Sequence, residues 1–331
     1  MTGHGSGRAW SRPARPDRAT RAKRAAATYA VRTRSVLFVV READSTRRAR
    51  IEGRCLEAAT RRGLPARALE IPDGRSGWRG RVVGGVRSAV AEGTDLVVAI
   101  GGDGTVGACA EGVCDTGATL GVIPRGAANL FARALEIPFG FEAALAVAFL
   151  GSDRRVDVAL ANGQAVVTMA GIGLDAAVVA ATSAASKHAL GWLGYGVATL
   201  PRLYDHPHRF QVRLDGATAM TVDAQSVVVA NAGRLPTGLV PSPRSRPDDS
   251  LLDVTVLAPR GPFAWAALFW HMSQGGRRGG ADRLASRQAG TVAISAEVEL
   301  PRQLDGESIT ASSELVVRIA ERALSVRVPR A

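Results

Sequence analysis

The sequence predicts an α/β protein with a second, β-rich half, and three observations support this fold class. From residue 35 to about 152, apolar strand-like stretches alternate with helical ones, as in βα units that build a Rossmann-like parallel sheet with helices on both faces. After residue 152, short strand-like stretches follow one another, which predicts an antiparallel β-sandwich domain. The length of 331 residues and the apolar fraction of 46% suffice for two hydrophobic cores.

We therefore expect three segments along the chain. A basic tail covers 1–34, an α/β domain covers 35–152 and a β-rich domain covers 153–331. The final strands are expected to be able to pack back against the first domain, so the boundary near 152 is approximate.

The elements of the first half follow from their residue patterns. Runs rich in Val and Ile predict strands buried on both faces of a parallel sheet, and amphipathic runs predict the helices between them. We expect strands at 35–40, 66–71, 96–100 and 119–123, and helices at 45–62, at 79–92, from the residues after Thr105 to about Cys114, and at 127–135.

The second half begins with a hairpin signal. Asn162–Gly163 suits a two-residue type I′ turn between strands at 154–161 and 164–169. Further strands are expected at 208–214, 217–222, 225–231, 251–257, 291–300, 313–319 and 323–328, and two stretches, 186–203 and 263–272, can form helices. The second stretch is apolar almost all round, so it either lies in the core or lines an acyl-chain pocket or a bilayer surface.

The most informative stretch is the turn after the strand at 96–100, Gly101-Gly102-Asp103-Gly104-Thr105. Its glycines let the backbone approach an anionic ligand closely, and the following helix start adds free N–H groups. A carboxylate beside a phosphate is repulsive unless Mg²⁺ or a hydroxyl group stands between them. The turn therefore favours phosphate chemistry over a plain strand-to-helix connection.

Charge is concentrated at the start of the chain. Residues 1–34 hold nine Lys or Arg and one acid, a net charge of +8 out of +12 for the whole chain. This composition predicts a disordered tail, which is either simply solvated or attracted to anionic lipid. Aromatic residues do not alternate with its basic ones, so we expect no specific nucleic-acid binding.

Other features concern the compartment. Three cysteines without a C-x-x-C pair argue against a disulfide framework and favour a cytoplasmic protein. The sequence shows no apolar run long enough for a membrane span and no signal-peptide pattern. We expect a cytoplasmic protein in peripheral contact with an anionic membrane. We also expect that the protein can form a homodimer through a sheet edge.

A second motif makes the resemblance to a family specific. Pro124-Arg125-Gly126-Ala127-Ala128-Asn129-Leu130-Phe131 follows the first glycine turn by about twenty residues. Three later stretches, 170–176, 248–254 and Gln303-Leu304-Asp305-Gly306-Glu307, complete the order. Together they resemble the diacylglycerol kinase and sphingosine kinase catalytic-domain family, of the soluble bacterial lipid kinase type. The late Asp-Gly-Glu separates this family from NAD kinases and phosphofructokinases.

The resemblance implies a kinase that phosphorylates the hydroxyl group of a diacylglycerol-like lipid, with MgATP bound between its two domains. ATP is then expected on the two glycine turns, through Gly101, Gly102, Asp103, Gly104, Thr105, Arg125, Gly126 and Asn129. Mg²⁺ shields the phosphates, and its candidate ligands are Asp103, Asp249 and Asp253. For Asn129 the alternative role is a plain N-cap, and for Asp249 and Asp253 it is a structural one.

Asp305 is the candidate general base, which takes the proton of the attacking hydroxyl group. Without the resemblance, Asp305–Gly306 is simply a hairpin turn between 296–300 and 313–319. Glu307 is expected to orient Asp305 or to contact magnesium, and Asp103 completes the candidate catalytic set. Asp157 is expected in an acidic network near the phosphates.

The sequence also departs from the family pattern. Arg41-Glu42 stands where the family has Asn-Pro, Ala127 replaces a Thr or Ser, and Thr237-Gly238 replaces Gly-Gly. These changes keep open a catalytically weakened or non-catalytic nucleotide- or lipid-binding protein. A kinase that acts on a sphingoid or another lipid alcohol is a further alternative.

Overall fold

The computed structural model describes residues 33–71, 77–174, 207–232, 246–258 and 286–330. All of them belong to one compact unit that spans Thr33–Ala331. Several expectations fall outside the described residues: the tail up to residue 32, the candidate helices at 186–203 and 263–272, the 175–176 end of one family stretch, and Thr237-Gly238.

The first half has the expected alternation of strands and helices. Its elements are β1 (Val36–Val40), α1 (Ser45–Thr60), β2 (Ala66–Ala68), α2 (Trp78–Ala91), β3 (Leu96–Gly101), α3 (Asp103–Val113), β4 (Thr119–Pro124), α4 (Leu130–Ala134) and α5 (Phe141–Leu150). Strands β1, β3 and β4 are buried along their whole length, as parallel strands covered on both faces are.

The second half is built almost entirely of strands. These are β5 (Ser152–Ala161), β6 (Gln164–Val166), β7 (Met169–Gly173), β8 (His208–Leu214), β9 (Met220–Ala224), β10 (Ser226–Ala230), β11 (Leu252–Leu257), β12 (Ser286–Ala289), β13 (Thr291–Leu304) and β14 (Glu307–Val328). Asn162 and Gly163 join β5 to β6 with φ of 47° and 85°, both in the left-handed region that a type I′ turn requires.

One network of paired strands connects the two halves. The main order is β12-β11-β10-β7-β13-β14-β4-β3-β1-β2, with β5 and β6 branching from β14 and β8 and β9 from β13. Strand β14 runs antiparallel to β13 and parallel to β4, where Ser325 and Val326 pair with Thr119 and Leu120. This pairing carries the end of the chain back to the first half. The expected fold class, an α/β half followed by a β-rich half, is confirmed.

Several elements differ from the expectation. Strands β7 and β12 were not predicted, and α3 begins at Asp103, inside the glycine turn and not after Thr105. Helix α5 was not predicted, because its sequence is apolar at nearly every position and lacks a polar stripe. The helix expected at 127–135 begins only at Leu130, because Asn129 has φ of 49° and ends a loop. The strands expected at 313–319 and 323–328 form one strand, bent by a register shift between Ala320 and Leu324.

Two hydrophobic cores accompany this architecture. The first joins β1, β3 and β4 to their helices, with Phe38, Ile100 and Phe131 among its fully buried side chains. The second fills the β-rich half around Phe210 and Leu252. No helix within the described ranges is both long and apolar enough to cross a bilayer.

Candidate active site

The two glycine turns contact each other at the carboxyl ends of neighbouring strands. Strands β3 and β4 are parallel, and Gly101 pairs with Pro124 at their ends. A Cβ atom on Gly126 would lie 2.5 Å from the Cα of Gly102, so this approach requires glycine. A Cβ atom on Gly101 would lie 2.5 Å from Oγ1 of the buried Thr105. The two turns therefore form a cradle of backbone with few side chains in it.

Asp103 links the two turns. Its carboxylate accepts the backbone N–H groups of Leu130 at 3.0 Å and of Phe131 at 3.1 Å, which are the first two residues of α4. Burial raises the pKa of Asp103 to about 6. The amides of Phe131 and Leu130 oppose that rise, whereas the nearby charge of Asp305 adds to it. Asp103 thus orients the second glycine turn by accepting hydrogen bonds from the backbone N–H groups that follow this turn.

The side chain of Asn129 is hydrogen-bonded within its own turn, and its contact with the nucleotide stays a prediction. Its side chain accepts the N–H group of Gly126 and donates to the carbonyl group of the same residue, both at 2.7 Å. It is 7% exposed, and its left-handed backbone is one that Asn tolerates better than most residues. Asn129 therefore closes the second glycine turn internally, and at the N-cap position of α4 its side chain makes no capping hydrogen bond.

The hairpin between β13 and β14 brings two further carboxylates to the cradle. Asp305 and Gly306 form its two-residue turn, with φ of 50° and 75°. The side chain of Asp305 lies against Gly107 of α3, and that of Glu307 lies against Gly104, where a Cβ atom would be 2.7 Å from its Cγ. The hairpin thus packs against Gly104 and Gly107 on one face of α3, which we call the glycine strip. This strip begins one residue after Asp103.

Asp305 is buried and fully engaged by hydrogen bonds. Its Oδ1 accepts the N–H and hydroxyl groups of Thr168 at 2.7 and 2.6 Å, and its Oδ2 accepts the N–H of Val167 at 3.0 Å. Burial raises the pKa of Asp305, while these donors and the charge of Arg79 lower it in part. Asp305 is thus both a turn residue and a positioned acid.

Two arginines border the hairpin. Nη1 of Arg41 donates to Oε1 of Glu307 at 2.9 Å. Arg79, in the first turn of α2, donates to the carbonyl group of Ala165 at 2.6 Å and to Glu111 at 3.0 Å. Arg41 is thus paired with Glu307, whereas Arg79 is paired with Glu111 and influences Asp305 through its charge.

Arg125 directly follows β4 and is exposed. Its Nη2 is 3.7 Å from Oε2 of Glu42, the residue that follows Arg41. Arg41 and Glu42, which depart from the family pattern, are therefore both charged and both ion-paired within the candidate site, with Glu307 and Arg125.

Asp249 and Asp253 lie in a different acidic cluster. Burial raises the pKa of Asp249, and the charges of Asp253, Asp157 and Asp248 raise it further. Asp157 accepts the N–H groups of Ser250 and Arg322, each at 2.7 Å, and so ties the loop before β11 to the bend of β14. In the described part of the chain, no three acidic, His or Cys side chains are grouped as metal ligands. The roles assigned to Asp103, Asp249 and Asp253 as metal ligands stay predictions.

Sequence reasoning missed three contributors to the site: Trp78, Arg79 and Thr168. Thr168 is a polar residue within the apolar run 165–170, which is a usable signal for a buried hydrogen bond. Trp78 and Arg79 carry no such local signal, because their partners come from β1, α3 and β6.

Comparisons with known proteins match two family models to successive parts of the chain. Residues 74–161 match the family model "Diacylglycerol kinase catalytic domain", and residues 168–328 match "YegS C-terminal NAD kinase beta sandwich-like domain". A "Probable lipid kinase YegS-like" from Stenotrophomonas maltophilia is 31% identical over 241 residues, which cover 68% of this chain and 76% of that protein.

Other relatives match over shorter segments. A diacylglycerol kinase from Bacillus subtilis is 37% identical over 128 residues, or 37% of this chain and 42% of that protein. The chain spans only 38% of the length of an uncharacterised relative from Synechocystis.

A solved structure shares the fold. The crystal structure of a diacylglycerol kinase from Bacillus anthracis covers 89% of this chain and 97% of its own, with a TM-score of 0.68 and 24% identity. The expected resemblance is thus confirmed, and the chain belongs to the YegS-like lipid kinase family, whose catalytic domain is of the diacylglycerol kinase type.

Proposed function

We propose that this protein transfers the γ-phosphoryl group of MgATP to the hydroxyl group of a diacylglycerol-like lipid. The observation that carries the proposal is the position of the Asp305–Glu307 hairpin, packed on the glycine strip of α3 next to the glycine cradle. Carboxylates beside a backbone phosphate cradle are what phosphoryl transfer to an alcohol requires. Family membership supports the same reaction class.

In this proposal the nucleotide phosphates lie on the cradle between the two halves of the protein. Gly101 and Gly102 let the backbone approach them, and Gly104 and Thr105 belong to the first turn of α3, whose helix start favours anions. Arg125 and Gly126 border the cradle from β4. Asp103 and Asn129 contribute by holding the second turn in shape.

Asp305 then acts as the general base. The lipid oxygen attacks the γ-phosphorus, the bond from that phosphorus to the bridging oxygen of ADP breaks, and the hydroxyl proton passes to Asp305. A pKa raised by burial suits this role, because a carboxylate with a higher pKa holds the proton better near neutral pH. The described residues provide no dedicated cation cage, which fits a magnesium ion that arrives on the phosphates with a carboxylate such as Glu307 beside it.

Two alternatives to this proposal remain. The ion pair between Arg41 and Glu307 already neutralises one of the carboxylates, which favours a weakened or non-catalytic nucleotide- or lipid-binding protein. A sphingoid or other lipid alcohol as the acceptor is the second alternative, since family membership leaves the acceptor open. Contact with anionic membranes, a cytoplasmic location and a homodimer stay predictions.

The test is phosphorylation of a lipid panel by the full chain with radiolabelled ATP and Mg²⁺. We expect labelled product from diacylglycerol and none from triacylglycerol, which has no free hydroxyl group. Labelling of sphingosine instead would favour the second acceptor class. Tight ATP binding without any labelled lipid would favour the non-catalytic alternative and contradict the proposal.

A further inference from the structure

Arg41 is held from two sides at the edge of the site. Its guanidinium carbon lies 3.7 Å from the centre of the Trp78 ring, a cation–π distance, and Nη1 lies 2.9 Å from Oε1 of Glu307. Trp78 is only 7% exposed, so the ring on which the guanidinium group stacks is itself fixed by the core. The side chain of Arg41 therefore has a defined direction toward Glu307.

The backbone of Arg41 is also fixed. Its N–H group donates to the carbonyl oxygen of Ile100 at 3.0 Å, directly before Gly101. Strand β1 pairs with β3 along its whole length, so Arg41 leaves the sheet beside the first glycine turn. The ion pair thus bridges the cradle and the hairpin, across 266 positions of sequence.

The direction of the Glu307 carboxylate depends on its ion pair with Arg41. Its side chain lies against Gly104, which offers it no side-chain contact from α3, and 41% of the side chain is exposed. Within the described contacts, Arg41 supplies the hydrogen bond that selects one direction for this carboxylate. Asp305, by comparison, is oriented by three donors from Val167 and Thr168.

We propose that Arg41, supported by the ring of Trp78, is a positioning residue that sets the carboxylate of Glu307 beside the phosphates during transfer. The inference rests on the proposed function and deepens it. Arg41, one of the residues that depart from the family pattern, thereby has a function. From the end of β1 it fixes Glu307, the second acid of the Asp-Gly-Glu motif.

The test is a double-mutant cycle on Arg41 and Glu307 in the full chain, with lipid turnover measured over a range of ATP concentrations. Arg41→Gln should lower kcat about 10-fold, the lower worth of one hydrogen bond to a charged group, with KM for ATP within a few-fold. Arg41→Lys should restore part of the loss. In the Glu307→Gln background, Arg41→Gln should have little further effect, because the group that it positions is gone.

Two results would overturn the inference. One is an Arg41→Gln protein with wild-type kcat, and the other is an equal further loss in the Glu307→Gln background. A rise in KM for ATP that persists in that background would show that Arg41 binds the nucleotide directly. Arg61→Gln is the matched control, since it removes the exposed Arg61–Glu57 pair at the far end of α1 and should leave kcat unchanged.

Fluorescence supplies a readout that does not depend on turnover. Arg41→Gln should change the emission of Trp78, and the same substitution in a Trp78→Phe background should change nothing, because the stacked ring is absent. Identical spectra for wild type and Arg41→Gln would contradict the stacking on which the inference depends. Turnover by the wild type with an unaffected Arg41→Gln variant overturns the inference alone, whereas no turnover by the wild type contradicts the proposed function.

Discussion

The glycine cradle and the hairpin tip adjoin the same helix, α3, but use their polar side chains in different ways. In the cradle, Asp103 and Asn129 bind backbone groups of the second turn, at Leu130, Phe131 and Gly126. At the hairpin tip, Asp305 and Glu307 project from a turn and are oriented by partners from elsewhere in the fold. We infer that the cradle offers shaped backbone to the nucleotide, whereas the hairpin offers side chains to the reaction.

The largest effect that this difference predicts is on Asp305. Asp305→Asn should lower turnover on the order of 10²- to 10⁴-fold, because an amide cannot accept the hydroxyl proton. Nucleotide affinity should stay within a few-fold, since the loss is confined to the transition state. The measurement is lipid phosphorylation at saturating MgATP, and equal rates would remove Asp305 from the general-base role.

The structure adds a stability cost to the same variant. One oxygen of Asp305 would become an NH₂ group facing donors from Val167 or Thr168, so the free energy of unfolding should fall by about 1–3 kcal/mol. On the sequence alone, an Asp-Gly turn should tolerate Asn without loss. Denaturant unfolding distinguishes the two expectations, with the exposed Asp223→Asn as the control for removal of one negative charge.

Gly107→Ala tests whether the hairpin must lie on α3. The added methyl group would overlap with Oδ2 of Asp305, which the N–H of Val167 holds in place. We expect turnover to fall about 10²-fold, as for a misplacement of a catalytic group by about 1 Å. Gly112→Ala on the same helix meets Val86 instead and should destabilise the fold without this selective loss. Similar kcat values for the two variants would contradict the assignment.

Gly126→Ala tests the cradle. Its methyl group would collide with the backbone of Gly102, and overpacking of this kind costs about 1–3 kcal/mol. We expect the Kd for ATP to rise about 10-fold while turnover at saturating ATP changes little. Isothermal titration measures this, and Gly117→Ala, where no atom lies within 4 Å of the new Cβ, is the control. A lower kcat with an unchanged Kd for ATP would contradict the assignment of nucleotide binding to the cradle.

The smallest effect concerns the charge of Asp103. Because the pKa of Asp103 is about 6 in the folded protein and 3.8 ordinarily, the folded state binds the proton more tightly. Its contribution to stability is therefore fully present below pH 3.8 and is lost progressively as the pH rises through about 6. Relative to Asp103→Asn, the wild type should lose about 1 kcal/mol of unfolding free energy between pH 5 and 7.5. A difference that grows with pH would contradict the raised pKa.

Much of this protein can be predicted from the sequence because the relevant signals are local. The buried strand before Gly101 and the Asn162–Gly163 turn each follow from neighbouring residues and their backbone preferences, whereas α3 begins at Asp103, earlier than expected. Asp305 is singled out by the resemblance to the lipid kinase family, since Asp305–Gly306 alone predicts only a hairpin turn. Helix α5 could not be found in this way, since it lacks the polar stripe that distinguishes a helix from a strand.

The amino-acid sequence by itself determined most of the strands and helices and the glycine turns, since each depends on residues close together in the chain. The order of several short motifs along the chain indicated the family. Only the tertiary structure decided that Asp103 holds α4, that Asn129 closes its own turn, and that Arg41 reaches Glu307. A carboxylate or an arginine can pair with any suitable group that the fold brings near. Its partner is therefore set by the pairing of β1 with β3 and of β13 with β14, which local patterns do not encode.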